Sequence, residues 1–358
     1  MARVRPVDGR RRRSGGGFFG TLLMLAALGL AVAAIAAFVF LNEATRAGPN
    51  TADTAFVVER GSSVSGIGAA LEAQGLIRDA RLFRVGNLVF ARDETLQAGE
   101  YNIPAGASVQ DIIEMMAGGA ALQHAITFRE GITIREVMRV IEESDVLTGD
   151  VPEAPPEGSI LPETYHVQRG MTRAALLQQM RDARDQAVAE IWEGRQPGLP
   201  LSSPDDLVNL ASIVERETGV PSERPLVAAV FLNRLRVPMR LETDPTIIYG
   251  VCLRHPERCR DGRLVDAQGN RRTIRQSEIA LDTGYNTYRI DGLPPTPIAN
   301  PGRAALEATA HPAQTNALFF VADGTGGHIF AATITEHNAN VARWRRIEAQ
   351  RLAEERAN

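Results

Sequence analysis

Ile103–Ile112 reads IPAGASVQDI, and the same plan occurs twice more, as VERGSSVSGI at Val58–Ile67 and FREGITIREV at Phe128–Val137. Each copy runs from a residue suited to a strand through a glycine to Ser or Thr, then into apolar residues at helical spacing. Gly61, Gly106 and Gly131 permit a tight turn after a strand, because glycine enters the left-handed region without steric cost. Ser63, Ser108 and Thr133 can accept hydrogen bonds from the first free amides of a helix. Ile67 with Leu71, Ile112 with Met116, and Val137 with Ile141 then fall on one buried helix face. The spacing predicts strand–turn–helix units over residues 55–150, and so an α+β fold class.

Working towards the N-terminus, residues 42–54 read as a polar linker. Before them Phe18–Leu41 (FFGTLLMLAALGLAVAAIAAFVFL) is an apolar run without a charged side chain, preceded by Arg10, Arg11, Arg12 and Arg13. A run of this length can cross a hydrocarbon core as one helix, and the basic flank holds the N-terminal side in the cytoplasm. Residues 1–17 read as a basic, Gly-rich cytoplasmic tail. A cleaved signal peptide is the other reading of the same residues, although the run is longer than a usual signal core. Both readings deliver the rest of the chain across the membrane, where ATP is absent, envelope polymers are abundant and thiols oxidise.

Composition narrows the chemistry. The 358 residues, 44% of them hydrophobic, carry a net charge of −4, which makes no electrostatic case for nucleic acid. All basic side chains are arginine, which removes lysine Schiff bases, Ser–Lys dyads and a Walker-type phosphate loop. A His-Glu-x-x-His helix and a Gly-x-Ser-x-Gly elbow are both missing from the sequence. Neither a metal nor a cofactor is expected. Cys252 and Cys259, the only cysteines, bracket CLRHPERC; a local disulfide is the reading for an oxidising compartment, since a metal site using His255 would lack a fourth ligand.

Working towards the C-terminus, the proline-rich Asp150–Gly158 marks a junction, and residues 151–358 read as a mixed α+β catalytic domain. Helices are expected at 172–193 (with Leu176, Leu177, Met180 and Trp192 in the core), 205–218, 222–236 and from Glu336 to about Glu355. Helix 205–218 (DDLVNLASIVERET) buries Leu207, Leu210, Ala211 and Val214 and carries Glu215 and Glu217 at its C-terminal end. There the helix dipole disfavours the carboxylate, and partial burial acts in the same direction, so a carboxyl at this place can serve as an acid near neutral pH. The plainer reading makes both of them surface glutamates paired with Arg216 and Arg224. Beyond this helix polar and aromatic residues gather in loops: Asn233, Thr243, Asp244, Thr246, Tyr249, Tyr285, Asn286 and Tyr288, with the proline loop Leu293–Pro297. Aromatic faces beside Asn, Thr and Asp suit sugar rings and their hydroxyls.

The ordered set ASIVERET, VFLNRLR, MRLETDPTIIYG, YNTYRIDGLPPTPIANPG, ATAHPAQT and FFVADGTGGHIF, with EGSILPETY at Glu157–Tyr165, resembles the MltG/YceG family of endolytic murein transglycosylases over about residues 55–345. The strand–turn–helix region resembles wall-binding modules of the LysM type; its copies lack a row of exposed aromatics, and scaffold is the other reading of the same residues. The family resemblance implies cleavage of the β-1,4 bond between N-acetylmuramic acid and N-acetylglucosamine within peptidoglycan glycan strands, leaving a 1,6-anhydro end without use of water. It implies one catalytic acid, Glu217, with Glu215 as the reserve choice, and Asn233, Thr243, Asp244, Thr246, Tyr285, Asn286 and Tyr288 as glycan contacts or positioners. Glu163 either completes the cleft or joins domains, and His328 and His337 could meet there or serve in packing. It further implies an inner-membrane protein, held by one helix, with its catalytic domain in the periplasm and peptidoglycan synthases as neighbours. The competing reading is a non-catalytic, membrane-anchored wall-binding scaffold.

Overall fold

The computed structural model describes residues 16–92 and 94–357; residues 1–15 of the expected cytoplasmic tail lie outside this range. The chain is mixed α+β and divides into two compact units, Met1–Leu122 and Gln123–Asn358.

The first unit opens with helix α1 (Gly16–Ala44), which extends past the apolar run into the expected linker. Gly20–Ala44 is long and apolar enough to cross a membrane. Strand β1 (Thr54–Val58), helices α2 (Val64–Ala73) and α3 (Ala80–Gly86), a π-helical turn at Asn87–Ala91, strand β2 (Gly99–Ile103) and helix α4 (Val109–Ala117) follow. β1 and β2 pair antiparallel, with Phe56 opposite Tyr101. The alternation of a strand sends Phe56 and Val58, Tyr101 and Ile103 to one face, where they form one core with Ile67, Leu71, Phe83, Ile112 and Met116. The turn chemistry is as the repeat predicts. Gly61 and Gly106 have φ of 82° and 69°, the Gly66 amide donates to Ser63 Oγ (3.1 Å), and Ser108 forms a reciprocal capping box with Asp111.

The second unit contains strand β3 (Gln123–Thr127), α5 (Ile134–Glu143), β4 (Thr164–Gln168), α6 (Arg173–Glu193), α7 (Pro204–Glu217), α8 (Arg224–Arg236) and α9 (Asp244–Arg254). It continues through the short strands β5 (Cys259–Arg260) and β6 (Arg263–Leu264), helices α10 (Gln276–Ile279) and α11 (Arg303–Ala310), the hairpin β7 (Phe319–Ala322) and β8 (His328–Ala331), and α12 (Ile334–Ala357). The third repeat copy keeps the local form of the other two, with Gly131 at φ 70° and Thr133 in a capping box with Glu136. Its strand, however, pairs with β4, placing Ile126 opposite Tyr165. That ladder carries the copy into the second unit, so the compact division falls after Leu122, ahead of the proline-rich junction.

Two main cores fill this unit. One joins Phe128, Val137, Ile141, Ile160, Tyr165, Leu176 and Met180. The other is built from α6, α7, α8 and α11 around Leu207, Leu210, Val214, Val227, Phe231 and Leu306. Trp192, expected inside, is only half-buried, with the Arg195 guanidinium 3.7 Å over its ring. Cys252 and Cys259 form a disulfide beside a small cluster of Ile247, Val251 and Leu264.

Candidate active site

Helix α7 begins with Ser203, whose side chain accepts from the Asp206 amide (3.1 Å), and Pro204 follows in the first turn. Both are favourable at this end of a helix. Every residue from Leu207 to Val214 is buried, which fixes the direction in which the last turn projects Glu215, Arg216 and Glu217.

These three neighbours meet different surroundings. The Glu215 carboxylate accepts from Arg224 Nη2 (2.9 Å) and from the Gly302 amide (3.1 Å), and its side chain is almost fully buried. Here the salt-bridge partner suggested by the sequence is present, and both oxygens are occupied. Arg216 donates to the carbonyls of Gly131 (3.2 Å) and Gly262 (2.7 Å). Glu217 has no arginine partner: Oε2 accepts from Thr243 Oγ1 (2.8 Å), while Oε1 has no hydrogen-bond partner among the described residues, and the residue is half-buried. Burial pushes Glu217 up to about 7, and the nearby Asp244 adds to the rise; the Thr243 bond, His328 and Arg234 oppose it. The result is a carboxyl that exchanges protons near neutral pH and has one oxygen without a hydrogen-bond partner among the described residues.

Its donor is held from behind by a buried threonine network. Thr243 immediately precedes α9; its amide donates to Thr287 Oγ1 (3.0 Å), its carbonyl accepts from Thr246 Oγ1 (2.7 Å), and the Thr246 and Thr287 hydroxyls are 2.9 Å apart. All three threonines are buried. The preceding residue, Glu242, has φ 45°, a strained conformation for a non-glycine residue that persists only where its surroundings enforce it. Buried Arg234 supplies part of that enforcement by donating to the carbonyls of Leu241 (2.7 Å) and Leu318 (2.7 Å). At the exposed rim, Tyr288 donates to Asp244 Oδ1 (2.9 Å); burial and then the Asp244 charge raise the phenol, keeping it protonated.

The remaining sequence-selected residues are spread more widely. Asn233 donates to the carbonyls of Thr315 (2.9 Å) and Ala317 (3.0 Å), and Asn286 to those of Ile279 (2.8 Å) and Leu281 (2.9 Å). Tyr285 bonds Thr296 (2.8 Å) and packs edge-on against Tyr249. Asn209 and Ser212 tie the proline loop to α7 through the Pro294 carbonyl (2.6 Å) and the Ile298 amide (3.0 Å). Glu163 is exposed. His328 lies against Glu223, Nδ1 to Oε2 2.7 Å, and Glu223 also accepts from Thr218 (3.2 Å). His337 instead stacks on Phe319, and burial lowers its proton affinity.

A cavity of about 860 Å³ opens between α5, α9 and the disulfide loop, lined in part by Ile134, Met138, Arg216, Ile248, Tyr249 and Glu157. Glu217 does not line it, because successive helical residues project in different directions. Glu157 accepts from the Ile134 amide (2.8 Å), Asn300 Nδ2 (2.9 Å) and the Tyr249 hydroxyl (3.4 Å), and burial pushes it up to about 7. Thr287, Glu223, Arg234 and Glu157 were not singled out from sequence. Glu157 opens the EGSILPETY motif, so its motif was visible while its role as a buried acceptor was not.

The chain matches the model of the YceG-like family over residues 56–343. A Bacillus subtilis protein named endolytic murein transglycosylase is 27% identical over 312 residues, covering 78% of this chain and 82% of that protein. A Streptococcus pneumoniae protein of the same name is 25% identical over 333 residues, covering 80% of this chain; this chain spans 57% of its length. The crystal structure of a YceG-like protein from Listeria monocytogenes, 24% identical, aligns with a TM-score of 0.47 over 81% of this chain and 99% of that one.

Proposed function

This chain belongs to the YceG-like family, and from that membership and the surroundings of Glu217 we propose that it is an endolytic peptidoglycan lytic transglycosylase, a lyase with Glu217 as its single catalytic acid. The bond cut is the β-1,4 link from C1 of N-acetylmuramic acid to O4 of N-acetylglucosamine. Protonated Glu217 gives its proton to O4 as the C1–O4 bond breaks. The muramic 6-oxygen forms the new bond to C1, and its proton returns to Glu217. Atoms balance without water, the product end is 1,6-anhydro, and the acid finishes in the state in which it began. A hydrolase would usually need a second carboxyl at a set separation; an internal nucleophile has its own high effective concentration.

The observation that carries this reading is the contrast within one helix turn: Glu215 has both oxygens engaged, whereas Glu217 has one oxygen on Thr243 and the other without a hydrogen-bond partner among the described residues, with burial pushing it to about 7. Thr243, Asp244 and Tyr288 are the proposed near contacts of the sugar, and Tyr285 a more distant one. Asn233, Thr246 and Asn286 act as positioners, since their polar atoms already hold loops in place. α1 is proposed as a span of the inner membrane, with Arg10–Arg13 on the cytoplasmic side and the rest of the chain in the periplasm, where it would terminate or trim nascent strands beside their synthases. The strand–turn–helix units of the first unit are proposed as a LysM-like hold on the glycan.

The test is incubation of the purified protein with murein sacculi and mass spectrometry of the released fragments. Anhydro-muramic ends that vanish in Glu217→Gln and persist in Glu157→Gln are expected. Binding without release would favour a scaffold, and reducing muramic ends would favour a hydrolase; either result sets the proposal aside.

A further inference from the structure

The first unit presents an apolar face that its own core does not cover. Val85, Leu88 and Val89 are 48%, 74% and 43% exposed. They sit on α3 and the π turn after it, a rare form of helix that often marks functional segments. The other side of the same segment is firmly held: Phe83, Gly86 and Ala91 are buried, and Phe90 packs against the core. A Cβ added at Gly86 would lie 2.9 Å from Ile113 Cδ1, so the segment sits tight against α4. The face is therefore backed by the packed core of the unit.

Its place relative to α1 identifies what covers it. The end of α1 packs on this segment: Ala44 is buried, and the Phe40 ring lies nearly parallel to that of Phe90 with centroids 6.1 Å apart. Phe40 is the penultimate residue of the apolar run that ends at Leu41. In a spanning helix this is the level at which hydrocarbon gives way to headgroups. Phe90 then lies at that depth too, and Leu88 and Val89 are within about 8 Å of it along the chain. Exposed Arg84 and Arg92 flank the apolar group, as long cationic side chains do where an apolar stem meets a charged surface. We propose that Val85, Leu88 and Val89 form a second membrane contact that dips into the interfacial layer of the bilayer beside α1. This rests on the reading of α1 as a span. Two points of attachment would hold the first unit in one orientation on the membrane, where α1 alone would let it swivel.

The test uses the full chain in sealed vesicles of phosphatidylethanolamine and phosphatidylglycerol. The two native cysteines are paired, so single cysteines introduced as Leu30→Cys, Leu88→Cys and Glu72→Cys can each carry a nitrobenzoxadiazole probe. Leu88 and Glu72 are exposed, which keeps the fold out of the comparison. The expected result is blue-shifted emission at positions 30 and 88, with position 88 quenched most by nitroxides placed shallow on the lipid chain, and water-like emission at 72. Quenching at 30 with water-like emission at 88 overturns the second contact and leaves the span standing. No quenching at 30 removes the span itself. A blue shift at 88 that ignores lipid nitroxides and grows with protein density in the vesicle assigns the face to a second copy, and also overturns the proposal.

Discussion

Glu217 is protected from ionising by burial and steadied by one hydroxyl, and these two effects make separable predictions. In the proposed mechanism the reaction starts from protonated Glu217, so kcat/KM should be level at acidic pH and fall about tenfold per pH unit above about 7. Glu217→Gln should lower it by at least about a hundredfold, the scale of a lost general acid. The Thr243 hydroxyl favours the charged carboxylate and so holds its pKa down; Thr243→Val should move the falling limb to higher pH while reducing the plateau, which a pH–rate profile on a soluble glycan substrate would show. Stability carries the same sign. A carboxyl raised in the fold contributes stability that is fully present below its unfolded value of 4.5 and is lost as pH rises through about 7. Above that pH the native state bears the cost, so Glu217→Gln should raise the melting temperature at pH 8, by at most about 3 kcal/mol of stability, with little gain at pH 4. A melting difference that is equal at both pH values would contradict the burial effect. A raised carboxyl at this helix end was legible in the sequence, because dipole and burial act together there on Glu215 and Glu217 alike; the choice of Glu217 between them came from the family resemblance. Its partner Thr243, and Thr246 behind it, were among the residues selected from the sequence; the contacts themselves were not legible, because they join residues remote in sequence: the Asn233 side chain closes onto carbonyls 82 and 84 residues away, and Glu223 meets His328 across 105 residues.

The strand–turn–helix element shows how one local design acquires different energetics from its neighbours. Gly61 and Gly131 hold equivalent positions with φ of 82° and 70°, so alanine at either should cost about 1 kcal/mol for the left-handed backbone alone. A Cβ at Gly61 meets open space, whereas at Gly131 it meets Arg216 Cδ and Glu215 Cγ, both at 3.3 Å. Gly131→Ala should therefore lower the midpoint of urea unfolding of the second unit more than Gly61→Ala lowers that of the first. It should also reduce glycan cutting, because the displaced side chains belong to the same helix turn as Glu217. Equal effects at the two sites would show that the contact is absorbed without strain. Turns and caps of this element could be read from sequence because their chemistry is confined to a few adjacent residues. The partner of its third strand could not, since FREGITIREV looks like the other copies, and what ties it to the second unit is the β3–β4 ladder together with contacts such as Gly131 to Arg216 and Ile134 to Glu157, all made with residues beyond the start of the proline-rich junction.

For the molecule as a whole, the question is whether α1 belongs to the folded enzyme or only holds it in place. Each core described above is assembled from residues after Asn42, and the side chains of α1 are exposed along most of its described length. The exceptions sit at its end: Phe40 against Phe90, and buried Ala44. A chain starting at Asn42 keeps Ala44 and loses the Phe40 ring contact, an aromatic pair contributing about 1 kcal/mol beyond its area, and that loss falls on the first unit alone. The truncated protein should thus fold, with a slightly lower melting temperature for the first unit and no change for the second. It should release anhydro ends from solubilised glycan at the rate of the full chain, because neither Glu217 nor its threonine support draws on α1. Co-sedimentation with vesicles, by contrast, should collapse to the weak partitioning that a few interfacial apolar side chains provide, since a spanning helix binds effectively irreversibly and a surface contact of this size does not. Loss of cutting on solubilised glycan by a truncated chain with an unchanged melting profile would mean that α1 contributes to catalysis and is more than an anchor.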